Sequence, residues 1–170
     1  MKIAFTGTRK IDKTRSKIVW EKLADIALLE AQEWHVGDAM GVDAVARVAA
    51  TRYSRTLHTH VCAGQEKWQF AARSKRMVDA ISSSDRPKLF AFADKLCPEG
   101  CSPCKSPNGQ GSGTWLTVAY AHYLNIPVEV TFLESGLLLP SWLNKDYQPP
   151  IEDYEPAIEK EYAPQQLSLF

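Results

Sequence analysis

Short apolar runs alternate along this chain with longer stretches of helical period, and that alternation restricts the folds open to it. Ile3-Ala4-Phe5-Thr6 closes on Gly7, and Asp12, a good N-cap, then opens a periodic stretch from Lys13 to about Gln32. The unit recurs. Trp34-His35-Val36 reads as a second strand, and Gly37-Asp38-Ala39-Met40-Gly41 leads into a helix from Val42 to about Arg52, striped by Val45, Ala46, Val48 and Ala49. Leu57 to Cys62 alternates as a third strand, and Trp68 to Ile81 is helical. Leu89-Phe90-Ala91-Phe92-Ala93 is a buried type of fourth strand, Thr114 to Leu124 a helix, and Val128-Glu129-Val130-Thr131-Phe132 a fifth strand. Asn125-Ile126-Pro127 stops the last helix, because Asn tolerates a left-handed cap and Pro cannot continue the helix. Strands separated by helices pair in parallel, so the expected fold is α/β: a doubly wound, mainly parallel five-stranded sheet with helices on both faces and an irregular C-terminal tail.

The chain can sustain such a sheet without a staple. Its 170 residues, 45% hydrophobic and 24% charged, suit one domain with a single core. The expected organisation is a domain over residues 1–132, interrupted by a loop insertion at 95–110, then a packing segment at 133–147 and a flexible acidic tail at 148–170. No stretch has the apolar length needed to cross a bilayer and the N-terminus lacks a long apolar region, so a cytoplasmic location is expected. Lys plus Arg and Asp plus Glu both total 20, which removes the net field that draws in nucleic acid or a membrane surface. The balance is uneven along the chain: 18 basic and 14 acidic residues up to position 140, then 2 basic and 6 acidic. Weak or no sequence-specific nucleic-acid binding follows.

Ligands of doubly wound sheets bind at the carboxyl ends of the strands, near the point where strand order reverses. Three of those ends are rich in glycine: Gly7-Thr8-Arg9, Gly37-Asp38-Ala39-Met40-Gly41-Val42-Asp43, and the return of the fourth strand's loop, Gly111-Ser112-Gly113-Thr114. Glycine lets backbone approach a ligand, and the free N–H groups of a helix start favour an anion such as phosphate. The plain alternative is ordinary turn glycine; three such loops on one edge weigh toward a site. With Arg73-Ser74-Lys75-Arg76-Met77-Val78-Asp79 added, the order and spacing of these segments over residues 1 to about 132 resemble the SLOG superfamily, which joins the DNA-processing protein A fold with the "lonely guy" phosphoribohydrolases. The resemblance implies a Rossmann-like fold that binds a nucleotide or a nucleotide-derived molecule. It implies ligand contacts at Gly7, Thr8, Arg9, Gly37, Asp38, Gly41, Asp43, Arg73, Gly111, Ser112, Gly113 and Thr114, and subunits that pair as a homodimer.

The chain departs from that family in two places. Met40 stands where the family often has Arg, and Thr117 stands where the hydrolytic members carry a catalytic Glu. Thr117 cannot act as an acid or base near neutral pH, so glycosidic hydrolysis by that route is not supported. Asp38 and Asp43 are the carboxylates left as catalytic candidates, and a structural role for Asp43 in its own loop weighs above a catalytic one. Arg9 and Arg73 are the best anion contacts, since a guanidinium can grip phosphate through two parallel hydrogen bonds; a solvated Arg at a helix start is the alternative for each.

Three of the four cysteines, Cys97, Cys101 and Cys104, fall within eight residues in the loop after the fourth strand. Such density in a cytoplasmic chain points to metal before disulfide, structural zinc first, an iron–sulfur cluster second, with free thiols as the alternative. A fourth ligand is not obvious. Cys62 and His60 end the third strand, but in a doubly wound order that strand lies far from the fourth, and His122 sits on the following helix.

The chain ends in Gln166-Leu167-Ser168-Leu169-Phe170, after an acidic stretch punctuated by Pro149, Pro150, Pro156 and Pro164. This pentapeptide closely resembles the peptide by which bacterial proteins dock on the DNA polymerase sliding clamp. Leu167, Leu169 and Phe170 supply apolar anchors and Gln166 orienting hydrogen bonds. The alternative is a tail that folds back onto the core. Together these features imply a bacterial or phage accessory protein that binds a nucleotide-like ligand, or a single-stranded DNA end, and is recruited by the clamp. A hydrolase of nucleotide derivatives and a nucleotide-signal sensor without a DNA role are the other two readings.

Overall fold

The computed structural model describes residues 1–30 and 33–144; the acidic tail and its terminal pentapeptide lie outside the described residues. Five strands, β1 (Lys2–Gly7), β2 (Glu33–Gly37), β3 (Thr56–His60), β4 (Pro87–Ala93) and β5 (Val128–Phe132), form one sheet in the order β3-β2-β1-β4-β5, every neighbouring pair parallel. Four helices make the crossovers: α1 (Lys13–Ala27), α2 (Val42–Arg52), α3 (Lys67–Ser82) and α4 (Gly113–Tyr123). The architecture is the Rossmann-like α/β fold expected from the alternation of strand and helix signals.

Period-2 side-chain alternation splits the core in two. Ile3, Phe5, Trp34, Val36, Phe90 and Phe92 point to one face, where α1 and α2 cover them with Val19, Leu23, Ile26, Val42, Ala46 and Ala49. Ala4, Leu89, Ala91 and Ala93 point to the other, against Met77, Val78 and Ile81 of α3 and Trp115, Val118 and Ala119 of α4. Toward α3 and α4 the two central strands β1 and β4 present Ala4, Ala91 and Ala93 beside Leu89, a smaller set than the aromatics on the other face. Strand order reverses between β1 and β4, since the chain builds outward from β1 to β3 and then crosses over to β4.

Most element ends lie within a residue or two of the expected positions. Asp12 caps α1 by accepting from the Arg15 amide, and Ser112 caps α4 through the Trp115 amide. Asn125, at φ 56°, ends α4 as anticipated, with the amides of Asn125 and Ile126 turning back to the carbonyls of His122 and Ala121. Helix α1 is shorter than its periodicity predicts. It stops at Ala27, where the Leu28 and Leu29 amides tighten onto Asp25 and Ile26 and the chain turns to start β2, whose Glu33 amide donates to Met1. Leu28, 86% exposed, only prolongs the apolar pattern. After β5, Leu138 and Leu139 face solvent while Trp142 and Leu143 pack on the α4 side of the core.

Replacing Leu23, wholly buried, with Ala costs about 2–5 kcal/mol in urea unfolding. Leu28→Lys changes stability by no more than about 0.5 kcal/mol, and a large loss there would mean that α1 continues past Ala27.

Candidate functional site

The loops after β1 and β4 part where strand order reverses, and between them lies a cleft of about 620 Å³. Its floor is Thr6, Gly7 and Thr8 at the end of β1, with Asp43 and Arg73 beneath. One wall is the turn from Asn108 to Gly113 that opens α4; the other is the first turn of α3, with Lys67, Trp68 and Phe70. Of the residues expected to touch a ligand, Gly7, Thr8, Arg9, Asp43, Arg73, Gly111, Ser112, Gly113 and Thr114 line this cleft. Gly37, Asp38 and Gly41 do not.

Glycines in the first two loops serve packing. A Cβ on Gly7 would lie 2.6 Å from the Val42 side chain, so its absence seats α2 against β1. Gly41, at φ 72°, would press a Cβ to within 2.3 Å of the Thr8 carbonyl, which itself accepts from the Val42 amide. Gly37 leaves the space in which the Arg73 guanidinium meets Asp43: a Cβ there would stand 1.2 Å from Arg73 Nη1 and 2.3 Å from Asp43 Oδ2. Gly111 and Gly113 differ, with nothing within 4 Å of an added Cβ, and they leave the third loop open toward the cleft.

Arg73 is neither solvated nor free. It is 6% exposed and donates from Nη1 to Asp43 Oδ2 at 2.9 Å, with Asp38 Oδ1 at 3.8 Å. Burial pushes the Asp43 carboxyl up, and the adjacent guanidinium and the Ala39 backbone oppose that push. Asp43 is thus engaged in the ion pair with Arg73. Buried Nε of Arg73 has no hydrogen-bond partner among the described residues. Asp38 is drawn to the other side, where its Oδ2 accepts from the Cys62 amide at 2.8 Å. Arg47 holds the β2 loop by donating to the carbonyls of Gly37 and Ala39. Arg9 is exposed and lies over the Phe70 ring at 4.2 Å, an arrangement that orients its charge at the mouth of the cleft.

Three features of the cleft escaped the sequence reading. Trp68 is 67% exposed on the first turn of α3. Asp94, directly after β4, lines the cleft and accepts from Thr8 Oγ1 at 2.9 Å. Lys67 and Lys95 add positive charge at the rim. An aromatic next to a lysine at a helix start is the one signal that pointed to the first. The two departures from the family pattern also have fixed places. Thr117 is wholly buried and donates from Oγ1 to the Gly113 carbonyl at 2.7 Å. Met40, 73% exposed, borders a broad open depression of about 790 Å³ between the starts of α1 and α2. Of the residues expected to touch a ligand, only Arg9 and Gly41 line that depression, whereas nine line the cleft at the strand ends, which is therefore the candidate site.

The cysteines share a loop organised by two indoles: Trp115 Nε1 donates to the Lys95 carbonyl and Trp142 Nε1 to the Cys101 carbonyl. Cys101 is buried, Cys97 half-buried and Cys104 exposed, and burial pushes the Cys97 thiol up to about 12. Neither His60 nor Cys62 reaches them: His60 Nε2 lies 3.0 Å from His35 Nδ1, and Cys62 Sγ donates to the Gly64 carbonyl. Among the described residues, the group that brings three metal-binding donors within 4.8 Å of one another is Glu33, His35 and His58. His122 stands edge-on to Trp142, its ring centroid 5.5 Å away. No helix among the described residues is long and apolar enough to cross a membrane.

The buried pair makes a sharp test. Asp43→Ala leaves the Arg73 charge uncompensated and lowers unfolding free energy by about 3–5 kcal/mol, whereas Asp43→Leu combined with Arg73→Met recovers most of that loss. A double variant as unstable as the single one would show that the hydrogen bonds, and not the stranded charge, set the cost.

No protein-family model and no curated protein matches the chain. Among solved structures it is similar to the X-ray structure of DNA processing protein A from Streptococcus pneumoniae, with a TM-score of 0.56 and 16% identity over 76% of this chain. The match takes in 49% of that protein, so this chain corresponds to about half of it. At that identity the likeness is one of fold alone, the sheet with its crossover helices.

Proposed function

We propose that the cleft between β1 and β4 binds a nucleotide or the end of a single DNA strand, and that Gln166 to Phe170 recruit the chain to a bacterial DNA sliding clamp. The observation that carries the first half is Trp68, a large aromatic left 67% exposed at the mouth of a cleft bordered by Arg9, Lys67, Lys95 and Arg73. An uncovered indole at a cleft mouth offers a stacking face, and a base is a flat partner that stacks there without sequence preference. Phosphate suits the opposite wall, where Gly111 and Gly113 leave room at the start of α4 and the amide-rich turn favours an anion. Arg73 Nε, buried and unpaired among the described residues, is a donor that a ligand oxygen could complete. Such a site holds a backbone end and one or two bases, which agrees with a chain that has no net positive charge. The structural likeness to DNA processing protein A supports a DNA-related ligand.

A hydrolase of nucleotide derivatives is the second reading, and Asp94 favours it as a partly exposed carboxylate in the cleft beside Thr8. Turnover of nucleoside 5′-monophosphates that disappears in Asp94→Asn would establish it.

Two measurements test the main reading. Anisotropy with labelled oligo-dT and calorimetry with nucleoside 5′-monophosphates detect binding in the cleft, and Trp68→Ala weakens it by about 10- to 100-fold. No binding of either probe, or no effect of Trp68→Ala, overturns the site. Calorimetry of the full chain and of a chain ending at Pro164 against a bacterial sliding clamp detects micromolar binding only in the former; equal heats from both overturn the recruitment.

A further inference from the structure

Away from the cleft, the β2–β3 edge gathers three imidazoles and a carboxylate on one face of the sheet. The parallel register sets His35 beside His58 and Gly37 beside His60, while Glu33 lies two residues before His35 and so on the same face. Glu33 Oε2 stands 3.3 Å from His58 Nε2 and 3.9 Å from His35 Nε2, and the His35 and His58 rings stack with centroids 4.6 Å apart.

We propose that Glu33, His35 and His58 form a binding site for a divalent transition cation of the zinc class, with His60 as the residue that orients His35.

Four observations carry this. His35 is 4% exposed, and its Nε2 is buried with no hydrogen-bond partner among the described residues, facing the Glu33 carboxylate too far away for a hydrogen bond. An unsatisfied polar atom in that position carries a cost that a cation removes. The other ring nitrogen, Nδ1, lies 3.0 Å from His60 Nε2. If that contact is a hydrogen bond donated by His35, the lone pair falls on Nε2, the tautomer a metal requires, and a second residue holding a ligand ring by its far nitrogen is the usual support of an imidazole ligand. Donors around a tetrahedral zinc at about 2.0–2.1 Å stand about 3.4 Å apart. The donors here lie within 4.8 Å of one another, so closure needs movement of about an ångström by Glu33 and His58, both on the half-exposed side of the site. Finally, two imidazoles and one carboxylate match borderline divalent ions in ligand type and leave a position open to water.

Nearby positive charges oppose the ion without blocking it. Lys2 Nζ touches Glu33 Oε2 only loosely at 3.7 Å, and Arg76, on α3, donates to the Val61 carbonyl beyond His60. Because β3 is an edge strand held by β2 alone, an ion bridging His35 and His58 would pin that edge to the sheet.

Titration of the full chain with Co²⁺ and Zn²⁺, followed by visible absorption and calorimetry, tests the site. Stoichiometric Co²⁺ binding is expected to give ligand-field bands without thiolate charge transfer and to survive Cys97→Ser, Cys101→Ser and Cys104→Ser together. His58→Gln, at an exposed position, is expected to weaken binding by at least ~100-fold, and His60→Gln by about 10- to 100-fold. Zn²⁺ also raises the melting temperature of the wild type but not of His58→Gln. Absence of Co²⁺ and Zn²⁺ binding overturns the proposal, as does binding unchanged in His58→Gln, or thiolate bands that vanish in the cysteine variant. The last outcome would assign the metal to the cysteine loop.

Discussion

One buried ion pair holds together the end of this molecule that carries the candidate site. Arg73 rises from α3, on one face of the sheet, and Asp43 from α2, on the other; they meet over the carboxyl end of β2 in the space that Gly37 leaves empty. A side chain at position 37 would occupy that space, so the shortest residue in the strand permits the longest reach in the helix. Two charges removed from water gain little net stability over an apolar pair of the same size, but either one alone would be costly. The pair therefore works as a constraint on geometry: α2, α3 and the end of β2 must keep their places together. Arg73, so held, lies under the cleft with one donor still unfilled among the described residues.

The rest of the cleft follows from that placement. The first turn of α3 carries Lys67, Trp68 and Phe70 to one wall, and Phe70 in turn supports the Arg9 guanidinium. Across from them the turn before α4 is kept open by glycines that touch nothing. Polar and apolar walls thus face each other, an arrangement suited to a ligand with a charged end and a flat ring. The carboxylates in the cleft are committed to neighbours, Asp43 to Arg73 and Asp94 to Thr8, which leaves the exposed charge at the rim mainly positive.

Strand β2 links this region to the histidine cluster. Its residues Trp34 and Val36 face α1 and α2, while Glu33, His35 and Gly37 face the side of α3. Successive positions on that side thus carry a carboxylate, a buried imidazole and a glycine that makes room for an ion pair. A strand of five residues serves the core with one face and carries polar and ionisable groups on the other.

Local pattern determined much of this protein. The alternation of apolar runs with helical stripes specified five strands, four helices and a parallel sheet, since each signal is carried by neighbours in the chain, and the wish of such sheets to bind ligands at their strand ends located the cleft. Helix α1 shows where local pattern misleads: Leu28 and Leu29 extend its stripe, but the chain must turn back to begin β2, and only the sheet imposes that turn. Tertiary structure decided the roles of single residues. Gly37 and Gly41 look in sequence like Gly111 and Gly113, and only the presence of Arg73 or of the Thr8 carbonyl beside them separates packing from access. His35 and His58 are 23 positions apart by number and have no shared motif; the register of β2 on β3 makes them neighbours. Spacing along a chain records what a helix or strand will bury, whereas a site depends on which elements the fold brings side by side.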